Sequence, residues 1–177
     1  MRSRITVAAC IVIAAAALAA IGLSAASSAA AGSGDADLAA IRAATAPYHD
    51  VERARRDGYE QVSACTEMAG AGAMGIHFIN AALAADTTVD PRHPELLVYE
   101  PQRDGRLQLV SVEWFVADRD QDLATDGDRP SLLGHPFDGP MLGHEPGMPI
   151  HFDLHAYVWR HNPSGMFAAW NPRVHCP

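Results

Sequence analysis

Apolar and polar residues alternate along the last part of this chain. The even-numbered residues from Ile150 to Val158 are all apolar, whereas the odd-numbered residues from His151 to Trp159 include two histidines and an aspartate. Successive side chains of a β-strand point to opposite faces of a sheet. The pattern therefore predicts a strand with one face in the core and one face that carries chemically active groups.

Other stretches of the chain predict further strands and an N-terminal helical segment. Asp35 or Asp37 can cap a helix through Leu38–Ala44, Pro47 interrupts this helix, and the helical pattern resumes from His49 to Tyr59. Three more strands are predicted over Ile76–Ile79, Leu96–Tyr99 and Leu107–Val116, with one helical turn over Ala81–Ala85. An acidic loop, Asp118–Pro130, and a Gly- and Pro-rich segment, Leu132–Pro149, precede the last strand. Helices followed by strands indicate an α+β fold, in which an N-terminal helical segment packs on an antiparallel β-sheet.

The first 31 residues are typical of a secretion signal. Met1–Arg4 is positively charged, Ile5–Leu23 is almost entirely apolar, and Ala29–Ala31 offers the small residues that a signal peptidase requires. We predict a signal peptide over residues 1–31 and a single secreted α+β domain over residues 32–177. The alternative is an uncleaved membrane anchor, because the apolar run is nearly long enough to span a bilayer.

Charge and composition limit the classes of partner. The 177-residue chain has a net charge of −8, and removal of Arg2 and Arg4 leaves 11 basic and 21 acidic residues, or 11 − 21 = −10. Nucleic acids and anionic membranes repel such a surface. The sequence after the signal contains no second apolar stretch of membrane-spanning length, so we predict no nucleic-acid partner and no membrane span after signal cleavage.

Two of the three cysteines lie outside the signal. Cys10 is removed with it, and Cys65 and Cys176 remain. A pair of cysteines in a secreted domain predicts a disulfide, and a link over about 110 residues stabilises the fold by about 4–5 kcal/mol in the loop-entropy description. A thiolate metal site is the alternative, but exposed thiols oxidise outside the cell.

A metal site is the leading chemical hypothesis. Glu113 lies in the middle of a predicted strand among Val, Trp and Phe residues, where a carboxylate needs a cation or hydrogen bonds. His77 lies in an Ile-His-Phe-Ile run and His155 on the polar face of the last strand. If these strands are neighbours, His77, Glu113 and His155 face one cavity and can bind a divalent metal, zinc or iron. His151 and Asp153 are additional candidate ligands on the same strand face.

Simpler explanations exist for the same residues. A histidine in a strand is often a hydrogen-bonded structural residue, and His151 can lie at the surface. Glu113 can form a buried ion pair with Arg160 or Arg173. No zinc-binding motif with established spacing is present to decide between these alternatives.

Two other metals are less well supported. Copper would use thioether and imidazole ligands, which the sequence offers in Met141, His144, Met148, His151 and Met166. A calcium site in the acidic loop fails because its sixth position is Leu123 and its twelfth is Arg129, where an EF-hand has Gly and Glu. The loop is better explained as solvated charge.

Several short sequences resemble a group of secreted bacterial proteins of unknown function. They are Tyr48–Glu52, Met74–Asn80, Tyr99–Pro101, Val112–Trp114, Leu154–Pro163 and Trp170–Val174. The resemblance spans nearly all of the domain and includes His77, Glu113 and His155, whereas the group tends to carry an aromatic residue at position 151. It implies a secreted protein and implies no activity or residue role.

Two functions are therefore considered. The first is a secreted small-molecule or metal-binding protein, including a metal-dependent enzyme with a His/carboxylate site. The second is a non-catalytic envelope or extracellular interaction domain, in which Trp114, Trp159 and Trp170 with Tyr157 form a binding surface. Convergence of the three ligand side chains would favour the first.

The signal assignment is tested by the N-terminus of the exported protein. Because the small residues Ala29–Ala31 precede the cleavage site, we expect the mature chain to begin near Gly32. Intact-mass and N-terminal peptide measurements on exported protein check this. Retention of Met1 would instead support the membrane anchor.

Overall fold

The computed structural model describes residues 34–177. Within this range, Asp37–Pro177 forms one compact unit. The predicted signal, residues 1–31, lies outside the described residues.

The N-terminal part of the unit is helical, as predicted. Helix α1 ends at residue 45, a short 3₁₀ helix that contains Pro47 follows, and the Asp50 side chain caps helix α2 by accepting a hydrogen bond from the Glu52 N–H at 3.0 Å. The prediction that this helical pattern continues to Tyr59 is wrong, because Gly58 takes a φ of +95° after the helix and the chain enters a strand. The described helices are 34–45 (α1), Ala46–His49 (3₁₀), Val51–Arg56 (α2) and Ala81–Ala84 (α3).

The strands form a seven-stranded antiparallel sheet and a separate two-stranded ribbon. The sheet has the order β1-β3-β4-β5-β9-β8, and β2 pairs with β3 along the same edge as β1. The predicted α+β class and antiparallel sheet are confirmed. The strands are Tyr59–Gln61 (β1), Thr66–Met68 (β2), Gly72–Asn80 (β3), Leu96–Pro101 (β4), Leu107–Ala117 (β5), Ser131–Leu132 (β6), His135–Pro136 (β7), Asp138–Met141 (β8) and His151–Ala156 (β9).

The alternation of side chains gives the sheet two different faces. On one face, Val112, Trp114 and Leu154 pack with Ile41 of α1 and Ala54 of α2 in the main core, and we name this the helical face. Burial of these side chains drives the helical segment onto the sheet, at about 25 cal/mol per Å² of apolar surface removed from water. We name the opposite face the open face. It carries Glu113 and His155, which alternate along β5 and β9 with the core residues of the helical face.

The C-terminal segment covers one end of the open face. Its backbone pairs with β3 through two hydrogen bonds of 3.1 Å between Ala73 and Asn171, and Val174 is fully buried against Ala73. Gly72 permits this approach, because a Cβ atom there would overlap the Asn171 carbonyl. The tail thereby places Trp170 beside the open face.

The predicted disulfide is present. Cys65, in the loop between β1 and β2, is bonded to Cys176 near the C-terminus, with Cα atoms 5.6 Å apart and a sequence separation of 111. The bond therefore fastens the tail to the edge of the sheet.

The sequence patterns missed the shortest elements. Strands β1 and β2 were not predicted, and β8 lies inside the segment described only as rich in Gly and Pro. The last strand ends at Ala156 rather than Trp159, so Trp159 leaves the alternation and packs on the helical face. Elements of two to four residues contain too few positions to show a period.

Among residues 34–177, no helix combines the length and the apolar character that a bilayer crossing requires.

One buried carboxylate, Glu95, links β4 to β5. Glu95 immediately precedes β4 in the chain and is 2% exposed. Its side chain accepts a hydrogen bond of 3.1 Å from the Phe115 N–H. Burial raises the pKa of Glu95 from 4.5 to about 7. The folded protein therefore binds this proton more tightly than the unfolded chain does.

The raised pKa of Glu95 predicts a pH-dependent stability. A group whose pKa is higher in the folded state makes the free energy of unfolding fall as pH rises from about 4.5 to about 7. Glu95→Gln retains an oxygen that accepts from the Phe115 N–H and cannot ionise. We expect the free energy of unfolding of the variant to exceed that of the wild type by about 1–3 kcal/mol above pH 7 and to equal it near pH 4.5. Urea denaturation across this range, with a chelator present, measures the difference, and parallel profiles would contradict it.

Candidate metal centre

Three strands contribute one chemically active side chain each to the open face. Glu113 on β5 pairs in register with His155 on β9, so these two are direct neighbours. His77 on β3 pairs with Val98 of β4, and the same strand pairs Leu96 with Glu113. The His77 side chain therefore reaches across β4 to meet the other two.

The three side chains converge. Glu113 Oε2 lies 3.5 Å from His77 Nε2 and 3.4 Å from His155 Nε2. One ligand atom from each residue lies within 4.8 Å of the other two. The imidazole rings of His77 and His155 are nearly perpendicular, with centroids 6.0 Å apart. This buried group can hold a metal ion, as two imidazoles and a carboxylate suit zinc and iron.

Burial leaves polar atoms of the cluster without hydrogen bonds. The side chains of Glu113 and His155 are 7% and 2% exposed. Among the described residues, Glu113 Oε2 and both ring nitrogens of His155 have no hydrogen-bond partner. Unpaired buried polar atoms each cost about 1–3 kcal/mol, and Glu113 Oε2 and His155 Nε2, which lie 3.4 Å apart, could both be satisfied by one bound cation.

Within residues 34–177, Glu113 has no salt bridge to an arginine. The alternative ion pair with Arg160 or Arg173 does not form, and the Arg160 guanidinium instead lies 3.5 Å from Glu100 and donates a hydrogen bond to the Arg173 carbonyl. The explanation of Glu113 as one half of a buried ion pair with arginine is therefore wrong.

Ser63 orients His77. Its hydroxyl donates a hydrogen bond of 2.8 Å to the Ala64 carbonyl and accepts one of 3.0 Å from the His77 backbone N–H. Since the hydroxyl proton is already used, the 3.1 Å contact with His77 Nδ1 is best satisfied when Nδ1 carries the proton. The lone pair of His77 is then on Nε2, which faces Glu113.

Asp153 and His151 flank the cluster. Asp153 lies two residues before His155 on the same face, with Oδ1 3.9 Å from His155 Nδ1 and Oδ2 3.7 Å from His151 Nε2. His151 Nδ1 donates a hydrogen bond to the Pro149 carbonyl at 3.1 Å. The structure thus places both additional candidates next to the cluster, but the convergent group contains only His77, Glu113 and His155.

Burial sets the protonation of the cluster when no cation is bound. Desolvation lowers the pKa of His77 to about 3 and lowers that of His155. Burial raises the pKa of Glu113 well above its usual value, and the charges of Asp153 and Glu95 raise it further. Without a cation these shifts favour neutral imidazoles and a neutral carboxyl, so a metal ion would compete with a proton for Glu113.

The cluster forms one wall of a cavity of about 410 Å³. A rim loop, residues 142–149, borders the cavity, and a Cβ atom at Gly143 would overlap the Met148 carbonyl, so the loop closes on itself only with glycine there. The remaining walls are largely apolar and include Val62, Met74, Leu96, Met148 and Trp170. This combination is typical of small-molecule sites.

The alternative chemical hypotheses find less support. Trp114 and Tyr157 are buried, and Trp159 packs on the helical face, so the aromatic residues do not share an exposed surface.

For copper, the His144 and His151 rings lie 5.2 Å apart, but Met148 Sδ accepts a hydrogen bond from the His144 N–H. The acidic loop is bound together by its own Asx turns, with Asp118, Asp120 and Asp122 accepting from backbone N–H groups.

Some contributors to the site could not be found from the sequence. Ser63 lies in a loop whose position depends on two strands of three residues, and Trp170 arrives through the C-terminal tail. The one sequence feature that points to Ser63 is its position two residues before Cys65, because a disulfide restrains the backbone around it.

Comparisons with known proteins give no assignment. Neither the family models nor the curated proteins and solved structures that were searched contain a significant match to this chain.

The geometry predicts a measurable role for Ser63. Ser63→Ala removes the acceptor for His77 Nδ1–H, so the orientation of Nε2 is no longer fixed. We expect the affinity for Zn²⁺ to fall about tenfold or more, as outer-shell substitutions do in metal sites. Competition with a chromophoric chelator measures it.

Ser111 supplies the matched control. Its hydroxyl is buried in β5 and has no hydrogen-bond partner among the described residues. Ser111→Ala should leave Zn²⁺ affinity unchanged, and an equal loss in both variants would show that the effect is general destabilisation.

Proposed function

We propose that this protein is a secreted metal-binding protein that uses His77, Glu113 and His155 to hold a divalent ion, zinc or iron, at the wall of a small-molecule cavity. The observation that carries the proposal is the convergence of Glu113 Oε2, His77 Nε2 and His155 Nε2 in a buried site where no arginine of the described chain pairs with the carboxylate. A divalent cation is the ligand that satisfies all three atoms at once.

The arrangement also supports catalysis. Three protein ligands leave coordination positions free, and the cavity adjoins them. A metal in such a site polarises a bound carbonyl or lowers the pKa of a bound water. The protein residues would hold the ion, fix the imidazole orientation through Ser63, and limit the access of bulk water. We therefore propose a metal-dependent enzyme that acts on a small molecule.

Export is part of the same proposal. The N-terminal sequence is typical of a signal, and the disulfide indicates an oxidising environment. An exported protein meets the metals available outside the cytoplasm, so elemental analysis of protein recovered from its own compartment identifies the ion.

Glu113→Gln separates metal binding from folding. The amide is nearly isosteric with the carboxyl and a weaker ligand, so we expect metal content to fall at least tenfold. In chelator the variant should be at least as stable as the wild type, because the carboxylate that burial disfavours is gone. Zn²⁺ at 100 times its Kd should stabilise the wild type by about 2.7 kcal/mol and leave the variant nearly unchanged. His155→Ala should also lose metal.

Glu95→Gln is the control for the same substitution at another buried carboxylate. It should retain metal, in contrast to Glu113→Gln, because Glu95 accepts from a backbone N–H, lies outside the convergent group and acts on Glu113 only through its charge. Wild-type metal content in both Glu113→Gln and His155→Ala would overturn the proposal.

A further inference from the structure

The walls of the cavity differ in chemistry from the cluster. Apart from the ligand atoms, the surface that lines the cavity is mainly apolar, and Met74, Leu96, Met148 and Trp170 contribute to it. Thioether and aromatic side chains adapt to apolar ligands and offer them few hydrogen bonds. A volume of about 410 Å³ lies near the lower end of the range for small-molecule sites. The cavity therefore suits a molecule with an apolar body of about one ring.

Charge restricts the occupant further. A divalent ion held by Glu113 carries a formal charge of +2 − 1 = +1, and two more carboxylates, Asp153 and Glu145, line the same cavity. His151 and His144 are the facing titratable groups, and the described residues that line the cavity include no arginine. An anionic ligand would find no fixed side-chain cation there to pair with its charge.

From these observations we infer, as an extension of the proposed metal site, that the ligand is a neutral, mainly apolar small molecule that offers the metal one lone-pair donor. The donor faces His77, Glu113 and His155, and the apolar body contacts Met148 and Trp170. The apolar walls then supply most of the discrimination among ligands that share one donor group.

A pair of probes with one donor type tests this inference. Imidazole and 4-phenylimidazole both present a neutral nitrogen to a metal, but only the second carries an apolar ring. In protein loaded with Co²⁺, whose visible absorption reports ligand binding, we expect 4-phenylimidazole to bind at least tenfold more tightly than imidazole. Benzoate, an anion of similar size, should bind more weakly than 4-phenylimidazole.

Variants assign the effect to the cavity. Met148→Ala should weaken 4-phenylimidazole several-fold and leave imidazole unchanged, because only the phenyl ring reaches that wall. Met68→Ala, at a methionine of β2 that is 48% exposed and outside the cavity, should change neither.

The outcomes distinguish the two proposals. If Co²⁺ does not bind, the metal site itself is wrong and the inference fails with it. If Co²⁺ binds but the two imidazoles have equal affinity, or benzoate binds most tightly, the metal site stands and the neutral apolar ligand is wrong.

Discussion

The structure depends on how one buried carboxylate is accommodated. Glu113 lies in the longest described strand, and its neighbours in sequence, Val112 and Trp114, both pack in the main core on the helical face. Moving β5 to expose this carboxylate would shift every side chain of the strand to the wrong face. The fold therefore keeps Glu113 buried, and with the two histidines beside it the group could hold a cation.

The sheet topology explains why histidines meet this carboxylate. Pairing of β5 with β9 makes His155 a direct neighbour, whereas His77 must cross the intervening strand. Imidazole is long enough to do so, and Ser63 prevents the ring from turning away. The cluster is thus built on paired strands, which hold ligand geometry more precisely than loops do. The loops and the tail contribute other parts of the cavity wall, among them Met148 and Trp170.

Long elements with clear periods could be predicted, and short ones could not. The alternation in β5 and β9 places Glu113 and His155 on one face, and the strand around His77 was recognised from its apolar neighbours. The order of the strands in the sheet does not follow from these local patterns, because strand pairing depends on contacts between residues distant in sequence. Ser63 and Trp170 carry no local pattern, and their positions follow from the three-residue strands and from the tail.

The position of the disulfide ties the cluster to the redox state of its surroundings. Cys65 follows Ser63 by two residues, so the covalent bond to Cys176 restrains the segment whose hydroxyl orients His77. Although no thiolate belongs to the convergent group, oxidation of two thiols is a maturation step on which its geometry depends. Ion binding should consequently follow oxidative folding in time, and a reductant strong enough to open the bond should loosen the site without touching a ligand.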